Sequence, residues 1–343
     1  MTGKRITSMD VARRAGVSRS VVSAVINGTQ GIGVSLAKRE AVLKAMRELN
    51  YHVDASARAM KTGRSHCVAA FGDTSNALFL QLLEGLQQAC VRLGYHVLLV
   101  GQGSGRESRE ELIALYLQRR VDGIISLDHP GYEDKAWANQ VEQHRIPYVS
   151  VEGYAGSDEI CSVLADYYGS VKTALQYLST GKPDIPSYLR IAASEAPVNW
   201  AEKARLQAYL EFCAGKGAEP VVEVVESQYA ARIRDILKRD IAAGRPLLYL
   251  SNWMDGALEI YRAAAELDLK IGRDVRVMSA DNTYRVSRQL VPRLSVMAVP
   301  YKEMGEKAVE VLLEQIDRSE VETEAGASCK HWIEAQLISG ESV

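Results

Sequence analysis

From residue 67 onward the chain alternates short unbroken apolar runs with longer amphipathic stretches, and this rhythm limits its fold more than any other feature. The runs at 67–71, 95–100, 123–127, 148–151, 189–192, 247–250 and 275–279 read as buried strands. The stretches at 79–93, 108–118, 169–178, 201–213 and 230–241 repeat their apolar residues at helical spacing. Strand–helix alternation demands crossover connections, hence parallel sheets with helices on both faces, an α/β architecture. Two such units suit about 270 residues, and ligands in folds of this kind gather at the carboxyl ends of the strands. No stretch approaches the roughly 18 apolar residues of a membrane span. The first residues lack the apolar core of a secretory signal, so the expected compartment is cytoplasmic, with no membrane partner.

The first 64 residues obey different rules. They carry twelve Lys/Arg and four Asp/Glu, a formal +8, while the remainder carries 29 and 39, a formal −10. The overall net charge of −2 hides this split. A basic segment on an acidic body points to a module that meets a polyanion. Thr7 with Asp10 three residues later forms a capping-box pattern for a first helix that stops at Gly16. Ser18 caps a second short helix running to about Ile26, with Val21, Val22 and Val25 inward and Arg19, Ser20, Ser23 and Ala24 on the other face. Ser35 opens a third, with Ala41, Val42, Ala45, Met46 and Leu49 at helical spacing. Two short helices about a glycine turn, closed by a third, describe a helix-turn-helix unit whose second helix enters the major groove.

The run Thr7-Ser8-Met9-Asp10-Val11-Ala12-Arg13-Arg14-Ala15-Gly16-Val17-Ser18-Arg19-Ser20-Val21-Val22-Ser23-Ala24-Val25-Ile26-Asn27-Gly28 resembles the amino-terminal signature of the lactose/galactose-repressor (LacI/GalR) family. The likeness continues through 44–51 to Gly63-Arg64 and, more weakly, through 73–79, 119–125, Asp281-Asn282 and 301–305. It implies a transcriptional repressor, not an enzyme, that binds a near-palindromic double-stranded DNA operator as a homodimer. A small-molecule effector controls it, and a sugar or sugar derivative fits the class. The implied organisation is a helix-turn-helix domain at 1–50, a hinge helix and linker at 51–64, and a two-lobed periplasmic-binding-protein-like core at 65–343. One lobe would hold about 65–163 and 294–328, the other about 164–293 and 329–340.

The resemblance also assigns roles. Arg19, Ser20 and Ala24 take base-reading positions, and Arg19 suits bidentate bonding to guanine. Thr7, Ser18, Ser23, Asn27 and Ser35 take phosphate-contacting positions, although capping alone would explain Ser18 and Ser35. Ala57, Met60 and Lys61 fall in the hinge helix, with Met60 as the apolar wedge between base pairs. Val53-Asp54 replaces the family's usual Pro-Asn. In the core, Asp73, Phe79, Glu152, Trp200, Lys203, Tyr229, Asn252, Asp281 and Tyr301 are expected around the effector, with Trp253 nearby. Lys203 is taken as standing where the family has a pocket arginine, which would forfeit the planar fork.

Other chemistry finds little support. Residues 101–106 suggest a GxGxxG loop, but Arg106 fills the last position and the run follows a second strand, so a plain loop is expected. GxSxG, HExxH and GxxxxGK[ST] do not occur. Cys67, Cys90, Cys161, Cys213 and Cys329 show no metal-ligand spacing and are expected to be five buried thiols. No cofactor or metal is expected.

Overall fold

The structure, a computed structural model, describes residues 6–27, 34–52, 59, 63–101, 107–180, 184–192, 198–283, 285–318 and 329–343. It divides into two compact units, Met1–His66 and Cys67–Val343.

The first unit contains α1 (Ser8–Ala15), α2 (Arg19–Asn27) and α3 (Leu36–Glu48). The capping box forms as its residues require: Thr7 N–H donates to Asp10 Oδ2 at 2.9 Å, and Asp10 N–H donates to Thr7 Oγ1 at 3.4 Å. Gly16 ends α1 at φ 65°, a left-handed conformation that side chains resist. Val11 and Ala12 from α1, Val22 from α2, and Val42 and Ala45 from α3 make the small core. An Arg14–Glu48 ion pair at 2.5 Å links α1 to α3 at the surface.

The second unit is two parallel α/β lobes. The strands are β1 (Cys67–Gly72), β2 (His96–Gly101), β3 (Gly123–Leu127), β4 (Tyr148–Val151), β5 (Cys161–Ala165), β6 (Ser187–Ile191), β7 (Val222–Val225), β8 (Leu248–Ser251), β9 (Arg276–Ser279), β10 (Ser295–Ala298), β11 (Lys330–Ile333) and β12 (Gln336–Ile338). The helices are α4 (Ala77–Leu93), α5 (Glu107–Leu117), α6 (Lys135–Gln143), α7 (Tyr167–Leu178), α8 (Trp200–Gly215), α9 (Tyr229–Ala242), α10 (Met254–Glu266) and α11 (Tyr301–Arg318). One sheet runs β11-β5-β4-β3-β1-β2, all parallel. The other runs β12-β10-β9-β8-β6-β7, parallel except for the antiparallel pairing of β12 with β10. Each sheet is covered by an apolar layer on both faces.

Two expectations need correction. The crossovers were placed near 163, 293 and 328, but the chain leaves the first sheet after Ala165, the second after Ala298, and the first again after Ile333. Strand β10 therefore belongs to the second lobe and β11 to the first, because β10 pairs with β9 and β11 with β5. Apolar periodicity identifies a strand but says nothing about which sheet accepts it. Nor are all five cysteines thiols. Cys161 and Cys329 are joined in a disulfide, while Cys67, Cys90 and Cys213 remain reduced, with Cys67 only half-buried. The parallel pairing of β11 with β5 brings the two residues to a Cα–Cα distance of 4.4 Å, within reach of a bond.

Helix α11 seals the first lobe by crossing α4 at two glycines. A Cβ on Gly85 would strike the Lys302 carbonyl, and one on Gly305 would strike the Leu82 carbonyl. Gln315 of α11 also caps β4 from the side, accepting from Tyr148 N at 2.9 Å and donating to Tyr148 O at 3.1 Å. Gly305→Ala should destabilise this lobe by about 1–3 kcal/mol, because two backbones must separate. Calorimetry should show the loss, and an unchanged unfolding transition would refute the close crossing.

Candidate functional site

The parallel topology points the carboxyl ends of both sheets at one another, so the residues that follow the strands converge. A cavity of about 490 Å³ lies there, with Asp73 after β1, Asp128 after β3, Glu152 after β4, Tyr167 after β5, Trp253 after β8 and Tyr301 after β10 in its wall. The lobes touch directly beside it. Gln81 donates to the Thr283 carbonyl at 3.1 Å, and Arg285 reaches Glu84 at 3.4 Å.

Behind two of the wall residues, Tyr167 and Trp253, sits Arg205, which has no exposed surface and does not itself line the cavity. Its guanidinium lies between two aromatic faces, 4.0 Å from the Tyr167 ring centroid and 4.4 Å from that of Trp253. Its Nε, Nη1 and Nη2 have no hydrogen-bond partner among the described residues. A planar cation stacked on both faces can make hydrogen bonds only along its edge. Two carboxylates feel its charge, Glu152 of the first lobe and Asp281 of the second.

Glu152 is buried at φ 72°, a strained backbone position for a side chain of this size. Its Oε1 accepts from the Tyr167 hydroxyl at 2.7 Å, and that hydroxyl stands 3.2 Å from the Tyr301 hydroxyl. Its Oε2 has no partner among the described residues. Burial pushes its carboxyl up to about 7, opposed by the Tyr167 hydrogen bond and the Arg205 charge. Burial likewise raises Asp281, whose carboxylate accepts from Met254 N at 3.2 Å and Thr283 N at 3.1 Å. A second polar arm of the cavity is built on Asp128. Ser126 and Ser150 each donate to its Oδ2 at 2.7 Å, and Arg109 pairs with its Oδ1.

The sequence-derived set divides on this geometry. Asp73, Glu152 and Tyr301 line the cavity. Asp281 is buried beside it within the field of Arg205. Trp200 stands behind, its indole N–H donating to the Glu152 carbonyl at 3.1 Å and its ring against Tyr167. Four others lie away from the cavity wall. Phe79 is wholly buried in the first-lobe core, close against Gly72. Lys203 is exposed, because two positions along a helix are about 200° apart and Arg205 takes the inward face. Asn252 is buried with its amide spent on the Ile191 backbone, at 2.8 and 2.9 Å, where it clamps β8 to β6. Tyr229 packs against the second-lobe core and is absent from the cavity wall. Sequence reasoning missed Arg205, Tyr167, Arg109 and Asp128. The inward spacing of Ala201, Arg205 and Ala208 on α8 was the available signal for the first.

In the first unit, Arg19 and Ser20 are exposed at the start of α2. Ala24 is only 6% exposed, because a methyl group scarcely rises above its own helix, so its proposed base contact is not presented. Ser23 is half-buried. Thr7, Ser18 and Ser35 accept from the backbone N–H groups of Asp10, Val21 and Lys38, each at 3.4 Å, so their oxygens serve as caps. The side chain of Asn27, and Ala57, Met60 and Lys61 with the rest of the Val53–Asp54 hinge start, lie outside the described residues. Among the described residues no His, Cys, Asp and Glu group is disposed to hold a metal, and no helix is long and apolar enough to cross a membrane.

Comparison with known proteins agrees with both units. Residues 7–54 match the bacterial regulatory proteins of the lacI family, and residues 187–343 match the periplasmic binding protein-like domain. The HTH-type transcriptional repressor PurR of Erwinia tasmaniensis is 29% identical over 329 residues, spanning 93% of this chain and 92% of that protein. Catabolite control protein A of Priestia megaterium is 25% identical over 327 residues, spanning 93% and 95%. The lac repressor dimer bound to operator and the anti-inducer ONPF shares the fold, with a TM-score of 0.70 and 22% identity over 99% of both chains. So does the transcriptional regulator CelR in complex with cellobiose, with a TM-score of 0.63 and 24% identity over 99% of this chain and 100% of that one. The chain thus carries a helix-turn-helix unit that matches the lacI family of bacterial regulatory proteins over residues 7–54, followed by a two-lobed core that matches the periplasmic binding protein-like domain over residues 187–343.

Proposed function

We propose that the protein is a cytoplasmic, homodimeric transcriptional repressor whose affinity for a near-palindromic operator is set by a small polar molecule held between the lobes. The observation that carries this reading is Arg205, a buried cation whose hydrogen-bond donors are all unused among the described residues. Such donors favour a ligand rich in acceptor oxygens. The nearby carboxylates of Glu152 and Asp281 disfavour a second anion and favour a ligand that also donates. Neutral polyhydroxyl compounds, sugars and their derivatives, meet both conditions, and the faces of Trp253 and Tyr301 suit their rings. The ligand acts by binding one arrangement of the lobes more tightly than the other, which biases the DNA-binding state. Selection of duplexes from a random pool, with and without sugars, sugar phosphates and nucleosides, tests the reading. Recovery of no preferred sequence would overturn it.

Three outcomes are expected. Arg205→Met removes a buried, unpartnered cation, so the ligand-free protein should melt at the same temperature or higher, while the rise in melting temperature on adding effector should vanish. A retained effector response would remove Arg205 from the site.

The second outcome concerns Glu152. Its folded carboxyl titrates near 7, against an ordinary value of 4.5, so between these pH values the folded state holds the extra proton. Stability contributed by this group is complete below about 4.5 and falls by about 3 kcal/mol as pH rises to about 7. Denaturant titrations across this window should show that decline in the native protein and a flatter profile in Glu152→Gln.

For the DNA-binding unit, Arg19→Ala should cost about 1–3 kcal/mol at one symmetric base pair. Uniform weakening on all sequences would reduce Arg19 to a phosphate contact.

A further inference from the structure

The disulfide joins the amino-terminal ends of the parallel neighbours β5 and β11, opposite the carboxyl ends that face the cavity. Cys161 begins β5, and Cys329 immediately precedes β11. Strand β11 is an edge strand with β5 as its one neighbour in the sheet, and its Trp332 is 53% exposed. Two backbone hydrogen bonds join the pair at opposite ends, Ser162 N to Cys329 O at 2.7 Å and Asp166 N to Ile333 O at 2.9 Å. Past Ile333 the chain passes directly into β12 of the other lobe, just as β5 leads through Asp166 into α7. Two of the three strands that carry the chain between lobes are therefore neighbours, and the sulfur bridge ties their starts.

Both cysteines are half-buried, and both stand in the wall of an open surface groove of about 820 Å³ whose charged residues are Glu142, Arg145, Asp158, Glu159 and Arg318. A groove of that size admits a small peptide disulfide. Lys330 follows Cys329 directly, and its ammonium donates to Ile160 O at 3.1 Å and Ser162 Oγ at 3.3 Å, the residues on either side of Cys161. The other cysteines compete poorly: burial raises the Cys67 and Cys213 thiols and pushes Cys90 up to about 11. A protein that works beside DNA sits where thiols are kept reduced, and a bridge formed there is transient.

We propose that Cys161 and Cys329 form a reversible thiol–disulfide site, oxidised by low-molecular-weight disulfides, whose closure pins the crossover strand β11 to β5. In the forward step one cysteine thiolate attacks the small disulfide, forming a mixed disulfide and releasing one small thiol. The second cysteine thiolate attacks the protein sulfur of that mixed disulfide and releases the second small thiol. The two protein thiols thus give up two electrons and two protons, and the small disulfide is reduced to two thiols. Reduction by excess small thiol runs the same steps backward. Neither cysteine lines the ligand cavity.

The test equilibrates the full-length protein with glutathione and glutathione disulfide at a series of ratios, quenches by alkylation and maps peptides by mass spectrometry. A cross-linked Cys161–Cys329 peptide should appear and disappear reversibly across the series and be absent from Cys329→Ser. Amide exchange of residues 330–333 should be at least tenfold slower in the oxidised than in the reduced wild-type protein, a comparison that needs no variant to fold. No cross-linked peptide at any ratio would overturn the proposal. So would a bridge that survives the most reducing ratio, or identical exchange in the two forms.

Discussion

The arrangement of the core turns on one buried cation, Arg205, with no hydrogen-bond partner among the described residues. Placing a guanidinium where water cannot reach it is costly unless its hydrogen bonds are satisfied, and Arg205 has no such bonds among the described residues. Part of the cost is offset by the Tyr167 and Trp253 faces, each worth about 0.5–2 kcal/mol to a desolvated cation. Part is offset by the field of Glu152 and Asp281, which come from different lobes. The ligand-free core therefore holds a local deficit at the place where its two halves meet. A molecule that supplies acceptors to the guanidinium edge repairs that deficit only while both lobes stay close enough to contribute, which is the differential affinity a conformational switch requires.

The backbone routes convert that local preference into a global one. All three interlobe passages start at strands whose carboxyl ends face the cavity: β5 runs into Tyr167, β10 into Tyr301 and β11 into β12. The hydroxyls of Tyr167 and Tyr301 meet at 3.2 Å, and Tyr167 also holds Glu152. Tyr167 and Tyr301 of the cavity wall thus stand two and three positions past the strand ends at which the chain crosses. The lobes also bridge directly through Gln81 with Thr283 and Glu84 with Arg285, so a change in lobe angle must break or remake polar contacts that water will otherwise satisfy.

Much of this was legible in the sequence where one local pattern decides the outcome. Thr7 and Asp10 specify a cap, Gly16 a helix stop, and the apolar runs of the core specify strands, each realised within a residue or two, although the run at 95–100 becomes an edge strand, β2, that is mostly not buried. The ligand cavity was legible only in part, because its residues are brought together by topology. Asp73, Glu152 and Tyr301 follow strand ends, and the structure places them in the cavity wall. Phe79 was misjudged because an aromatic residue one turn into a helix serves a core as readily as a cleft. Asn252 was misjudged because a buried amide satisfies the backbone first. The mistaken choice of Lys203 came from reading a family position without imposing helical phase. Ala201, Arg205 and Ala208 define an inward line that Lys203 cannot join. The pairing of Cys161 with Cys329 had no local signature at all, since 168 residues separate them and only the parallel docking of β11 brings them together.

The division of charge makes physical sense beside these two folds. The amino-terminal unit buries only a handful of side chains, with one Val and one Ala from α1, one Val from α2, and one Val and one Ala from α3 at its centre. A core of that size leaves little stability to spare. Its excess of eight positive charges adds self-repulsion, which phosphates relieve when they displace counterions. Binding to DNA therefore stabilises the unit by mass action as well as locating it. The acidic core carries the opposite burden. Its formal −10 disfavours approach to a polyanion, so non-specific contact is confined to the basic segment, where α2 presents Arg19 and Ser20. Had the same net charge of −2 been spread evenly along the chain, that confinement would not exist.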